Sequence, residues 1–208
     1  RLIVQSLLPE AIFTGYDSDS NFWVLSEANV SWADILVLGP GLGTEALSVT
    51  LVRELLQAIA AQCDAAPSKW LRKYPLLLID ADGLNILSAR PELMQLVDQI
   101  ALQIPVVVTP HPMEMARLSA ASLQEILQCP AHAAEALAEA HGTITVMKGS
   151  ETIVLDADGH AFQNLEASPA LSKGGSGDVL SGAIAGVYAV LRADWIDALN
   201  EVPPEEQH

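Results

Sequence analysis

The chain has 208 residues, half of them hydrophobic and 17% charged, enough apolar material for one ordinary core and too little charge for a disordered chain. Aspartate and glutamate outnumber lysine and arginine by 26 to 10, giving a formal charge of −16 that repels a phosphate backbone or an anionic bilayer and sets nucleic-acid and membrane-surface binding aside. An anionic metabolite stays open, provided that backbone N–H groups and a few local cations hold it.

In chain order, residues 1–5 (RLIVQ) read as a strand and not as a basic start of a secretory signal. Ile35–Leu38 reads as a strand running into Gly39-Pro40-Gly41-Leu42-Gly43. Leu47, Leu51, Val52, Leu55, Leu56 and Ile59 then keep helical spacing. Leu76–Ile79 is a second apolar strand, followed by Asp80-Ala81-Asp82-Gly83, and Leu93, Leu96, Val97 and Ile100 mark a helix after Pro91. Val106–Val108 is a third strand and leads into Thr109-Pro110-His111-Pro112-Met113-Glu114. Pro130–His141 has helical period and is closed by Gly142, suited to a left-handed cap. A fourth strand over 143–147 precedes Lys148-Gly149-Ser150-Glu151-Thr152, and Thr152–Leu155 with 160–163 reads as a hairpin about a four-residue turn. The last helix is expected to begin near Val179, with Leu180, Ala183, Ile184, Val187, Tyr188 and Leu191 making its apolar face. Residues 191–208 carry no comparable pattern, and the polar end 201–208 is expected to fray.

The apolar stretch 179–191, interrupted by Ser181 and glycines, falls short of the ~18–20 residues of a membrane span, so no transmembrane helix and a cytoplasmic location are expected. Cys63 and Cys129 lie too far apart for a metal or redox motif and read as idle thiols within helices. No repeat or linker divides the chain, which predicts a single domain over 1–208, and the opening arginine hints at a piece of a longer protein.

Four short, nearly all-apolar strands alternating with helical segments predict an α/β fold with a mostly parallel sheet buried on both faces. Parallel strands end on one edge, where open α/β sheets bind ligands. The most informative loop is Lys173-Gly174-Gly175-Ser176-Gly177-Asp178. Its glycines let successive N–H groups converge at a helix N-terminus, which holds a phosphate without a basic cluster. Asp178 then stands where it can take a proton from an attacking hydroxyl, unless it only complements the helix dipole. The spacing fits neither a P-loop nor the dinucleotide fingerprint. His111 and Glu114, three apart at a helix start, can face one crevice. Asp80 and Asn85 serve equally well as caps of the turn they adjoin.

Taken together and in order, GPGLG, LLLIDADGLN, VVVTPHPMEMARL, TVMKGSETIV and SKGGSGDVLSGAIAGV resemble the ADP/ATP-dependent (S)-NAD(P)H-hydrate dehydratase family of the ribokinase-like superfamily, over residues 35–190. The resemblance implies a ribokinase-like three-layer fold and repair of the S-form of hydrated NADH and NADPH, with ADP or ATP as phosphoryl donor and Mg2+ as cofactor. It assigns Asp178 as catalytic base, and Gly41, Gly43, His111 and Asp178 to the hydrate. Lys148, Gly149, Ser150, Glu151, Thr152, Gly175, Ser176 and Gly177 fall to the nucleotide, and Glu114 to magnesium-bound water. It further implies a homo-oligomer, a tetramer in many members. The family's opening strand, its glycine-bearing loop and its closing helical segment find no match, so truncation at both ends is expected. Two other readings share these motifs: a small-alcohol kinase of the thiamine-precursor type, and an inactive truncated nucleotide-binding chain.

Overall fold

The computed structural model describes residues 11, 28–65, 73, 75–166, 168 and 173–201. Six strands form one sheet in the order β1-β2-β3-β4-β5-β6: Ile35–Leu38, Leu76–Ile79, Val106–Val108, Ile144–Met147, Thr152–Leu155 and Ala161–Asn164. The first four are parallel, in registers such as Ile35 with Leu76, Leu77 with Val106 and Val107 with Ile144. β5 and β6 add antiparallel, because short loops permit only hairpins whereas the parallel pairs need helical crossovers. Those crossovers are α1 (Ala46–Asp64), then α2 (Asp82–Ser88) with α3 (Pro91–Ala101), then α4 (Pro112–Leu118), α5 (Leu123–Gln128) and α6 (Pro130–His141). The long helix α7, Ser176–Glu201, follows the hairpin.

The period of two along β2 and β3 decides which side chains enter which layer. Leu77, Ile79, Val106 and Val108 face the larger core with Val52, Leu56 and Ile59 of α1 and Val97 and Ile100 of α3. Leu76, Leu78 and Val107 face the other way, with Val146, and meet Leu180, Ile184 and Tyr188 of α7. At the far end of the sheet Arg192 of α7 pairs with Asp34 at 3.3 Å and donates to the Lys73 carbonyl at 2.6 Å, which pins α7 across the strands.

The first three strands have the expected bounds, but several expectations need correction. β4 starts at Ile144, because the Thr143 N–H instead closes α6 by bonding the Ala138 carbonyl, one bond of a Schellman motif around left-handed Gly142. In the hairpin, Asp156 Oδ1 accepts from the N–H groups of both Asp158 and His160. This draws His160 out of the ladder and moves β6 to Ala161–Asn164. β1, expected to be covered on both faces, leaves Val37 exposed, and β6 is exposed throughout. Cys63 is buried in α1, whereas Cys129 sits exposed at the junction of α5 and α6.

The largest correction concerns α7. It begins at Ser176, and it continues to Glu201 through the segment read as patternless. Its Ser176–Ile196 stretch is, by length and composition, apolar enough to cross a membrane, so the expectation that this segment is too short for a span needs correction. One side of that stretch packs on the sheet through Leu180, Ile184 and Tyr188, while Val179, Val187, Val190 and Trp195 are exposed. The predicted strand over 1–5 and most of the tail 201–208 lie outside the described residues.

Candidate active site at the carboxyl edge of the sheet

The loops after β1 to β4 meet on one edge and are stitched together by short-range contacts. After β1, Gly39 has φ +123° and lies so close to the next loop that a Cβ there would stand 1.8 Å from the Asp80 carbonyl oxygen. Only glycine meets both conditions. Gly83 answers from the other side, since its own Cβ would meet the Leu38 carbonyl at 2.9 Å. The Gly43 N–H donates to Asp82 Oδ2 at 2.8 Å, so the GPGLG loop is held against the start of α2. Gly41 has open space around its Cα.

After β3, His111 caps α4. Its Nδ1 accepts from the backbone N–H groups of Met113 and Glu114, and the Glu114 carboxylate accepts in return from the His111 N–H at 2.8 Å. This reciprocal cap leaves the ring proton on Nε2, 3.3 Å from Glu114 Oε1. The Glu114 side chain is buried, while that of His111 is nearly half exposed. The two residues thus lie together at the start of α4 and fix each other.

After β4, the Lys148 N–H bonds the Pro110 carbonyl, joining this loop to the previous one. The Lys148 ammonium donates to Asp80 Oδ1 at 2.6 Å and lies 3.8 Å from Glu114 Oε2. Asp80 Oδ2 accepts from Ser181 Oγ at 2.8 Å, which brings α7 into the cluster. Burial alone would push the Asp80 carboxyl up, but the hydrogen bonds from Lys148 and Ser181 and the charge of Lys148 hold it below its ordinary value.

The N-terminus of α7 closes the edge. Gly175 has φ +86° with open space beside it, and the helix begins with the Val179 N–H bonded to its carbonyl. A Cβ on Gly177 would stand 3.6 Å from Lys148 Nζ and 3.7 Å from Asp80 Oδ2, so the first turn rests directly on the ion pair. Between this turn and the β5–β6 hairpin lies a cleft of about 450 Å³, lined by Lys148, Gly149, Thr152, Ser176 and Gly177 on its polar side. Val179, Leu180 and Ala183 form an apolar wall, and Asn164 of β6 completes the lining. Its size and mixed lining suit a small organic ligand. Asp178, in the first turn, is exposed and makes no hydrogen bond or ion pair among the described residues.

Of the residues singled out from the sequence, five therefore share one cleft. Ser150, Glu151 and Gly175 stand outside its lining and are exposed, and Glu151 accepts instead from Gln163 Nε2 at 2.7 Å. Gly41 and Gly43 lie on the β1 side of the same edge. Asn85 faces elsewhere, accepting from Arg117 at 2.8 Å and tying α2 to α4. Sequence reasoning missed the central position of Asp80 and the parts of Ser181 and Asn164. Asp80 carried a readable signal, an acid directly after an all-apolar strand, but its partners lie 68 and 101 residues away.

This arrangement places the chain among the ribokinase-like α/β proteins. A ribokinase-like superfamily protein from Enterococcus faecalis V583, known from its crystal structure, aligns with a TM-score of 0.67 at 28% identity, over 90% of this chain and 57% of that one. Residues 2–202 match the NAD(P)H-hydrate dehydratase family, and the chain belongs to that family. It is 34% identical over 158 residues to the bifunctional NAD(P)H-hydrate repair enzyme Nnr of Thermofilum pendens, covering 76% of this chain and 26% of the relative. With the ADP-dependent (S)-NAD(P)H-hydrate dehydratase of Enterococcus faecalis it shares 32% identity over 183 residues, 87% of this chain and 53% of the relative. The chain thus spans about a quarter of the first relative and about half of the second.

Proposed function

We propose that this chain carries the centre that dehydrates the S-form of hydrated NADH and NADPH at the expense of ADP or ATP, as a nicotinamide-cofactor repair enzyme of the cytoplasm. The observation that carries the reading is the convergence of Lys148, Gly149, Thr152, Ser176 and Gly177 on one cleft at the N-terminus of α7, with the exposed carboxylate of Asp178, unpaired among the described residues, next to Gly177 in the same turn. Helix-end N–H groups and the Lys148 ammonium, held by Asp80 at 2.6 Å, offer hydrogen-bond donors to a phosphate at this edge of a −16 chain.

The chemistry follows from the poor leaving ability of hydroxide. Asp178 takes the proton of the hydrate's hydroxyl as its oxygen attacks the terminal phosphorus of the nucleotide, and the bond to the departing nucleotide breaks. With ADP the departing group is AMP. The ring nitrogen lone pair then expels phosphate from the adjacent carbon, and loss of a proton from the next carbon restores the ring double bond. Gly175 and Gly177 present N–H groups to the phosphates, with Ser176, whose own N–H bonds the Lys173 carbonyl, offering its hydroxyl between them, while Lys148, Gly149, Ser150, Glu151 and Thr152 flank the nucleotide. His111, Gly41 and Gly43 bound the hydrate on the β1–β3 side. The carboxylate of Glu114, a hard oxygen donor buried within 3.8 Å of the Lys148 ammonium, suits water bound to Mg2+. That ion would neutralise phosphate charge. The working unit is a homo-oligomer of such single-domain chains.

Recovery of NADH absorbance from hydrated NADH, with ADP or ATP and magnesium, is the direct test. Expected is turnover dependent on nucleotide, with AMP and phosphate released when ADP is the donor. A phosphorylated product that accumulates without eliminating would overturn the dehydratase reading in favour of a kinase.

A further inference from the structure

Asp80 is a fully buried carboxylate that the proposed chemistry leaves without a role. A buried charge survives only where partners compensate it, and those partners are informative. One oxygen takes Lys148 at 2.6 Å and the other takes Ser181 at 2.8 Å. Lys148 lies on one wall of the cleft and Ser181 stands one turn beyond Gly177 on the helix that forms the other. A single carboxylate therefore grips both walls. The first turn of α7 packs against both groups: a methyl group at Gly177 would stand in ordinary contact with the ammonium at 3.6 Å and the carboxylate at 3.7 Å.

We propose that Asp80 is a positioning residue: it sets the Lys148 ammonium against the N–H end of α7, so that both bear on the same phosphate. The lysine stem is long and flexible, and an ammonium offers three donors. Asp80 takes one, which fixes the direction of the others. Asp80 itself stays behind the helix turn and acts through Lys148. The inference deepens the nucleotide-binding part of the function proposed above and rests on it.

A double-mutant cycle on ADP affinity, measured by calorimetric titration of the full chain, tests it. The variants are Asp80→Asn, Lys148→Met and the pair together, each checked for folding by circular dichroism. Asp80→Asn is expected to weaken ADP binding about tenfold in the wild-type background, and by less than twofold when Lys148 is already methionine. Should Asp80→Asn fail to fold, Ser181→Ala replaces it, with a smaller loss expected that again vanishes alongside Lys148→Met. A second readout is the ammonium resonance of Lys148 in nitrogen-labelled protein, expected to be slowed in exchange with water in the wild type and lost in Asp80→Asn. Losses that add in the double variant, or unchanged affinity in Asp80→Asn, would overturn the inference alone. Wild-type chain that does not bind ADP would bring down the nucleotide reading as well, and so separates the two failures.

Discussion

Replacing Gly39 by alanine perturbs the site through the backbone alone. The residue sits at φ +123°, where side chains other than hydrogen are strained, and the added methyl carbon would fall 1.8 Å from the Asp80 carbonyl oxygen and 2.6 Å from the Gly83 nitrogen. Both neighbours are backbone and cannot rotate away. Strained backbone of this kind costs about 1–3 kcal/mol, and forcing packed neighbours apart costs about 1–3 kcal/mol more, so a loss of about 2–6 kcal/mol is expected. The atoms that must move belong to the residue that holds Lys148, so the surviving folded protein should also bind ADP more weakly. Gly41→Ala is the internal control, because its φ is +66° and nothing lies within 4 Å of the added carbon. That change should cost only about 1–2 kcal/mol. Urea denaturation of wild type and both variants, read by circular dichroism, gives the three stabilities. A Gly39→Ala variant no less stable than Gly41→Ala would refute the close approach of the two loops.

Asp178→Asn should lower turnover of hydrated NADH by about 10²–10⁴-fold, the usual loss of a general base, while ADP affinity stays within a few fold; a variant keeping half the wild-type rate would remove Asp178 from the base role. Burial, aided by the charge of Asp64, pushes the Cys63 thiol up to about 11, whereas Cys129 is exposed. A thiol reagent at neutral pH should therefore modify Cys129 in the native protein and reach Cys63 only after denaturation. Because the Asp80 carboxyl lies below its ordinary value of 3.8, the stability it confers is complete above that value and is lost as pH falls through the lowered folded value. Urea midpoints should accordingly show an acid decline below about pH 4 that is shallower in Asp80→Asn, with the two curves running parallel above it; identical acid limbs would contradict the pairing.

The parallel strands were legible because a strand buried on both faces must be apolar at nearly every position, and LLLI and VVV admit little else. Their carboxyl ends, and hence the location of the site, followed from topology. What stayed hidden was long-range or local in a way that periodicity does not register. The end of α7 was lost because residues 191–201 gain their helical state by continuation and by Arg192 reaching Asp34, not from an amphipathic pattern. The short helix α5 carried a readable signal, Ser122 with Glu125 three residues on, which the structure uses as a capping box. Asp80 illustrates the limit: its residue type suggested a cap, and only the fold brings it a lysine and a serine from far along the chain.

The order in which those partners are synthesised matters. Asp80 emerges well before Lys148 and Ser181, which follow it by 68 and 101 residues. Until they arrive, β2 can pair with β1 and β3, but the residue that follows it, Asp80, would have to bury an anion without a counter-charge, at a cost of several kcal/mol. That edge is therefore expected to stay open to water until Lys148 and Ser181 are in place, so that docking of α7 closes the centre. Hydrogen exchange on a chain stopped before Lys148 would report it: the amides near Asp80 should exchange freely there and be protected in the full protein, and equal protection in both would refute the dependence.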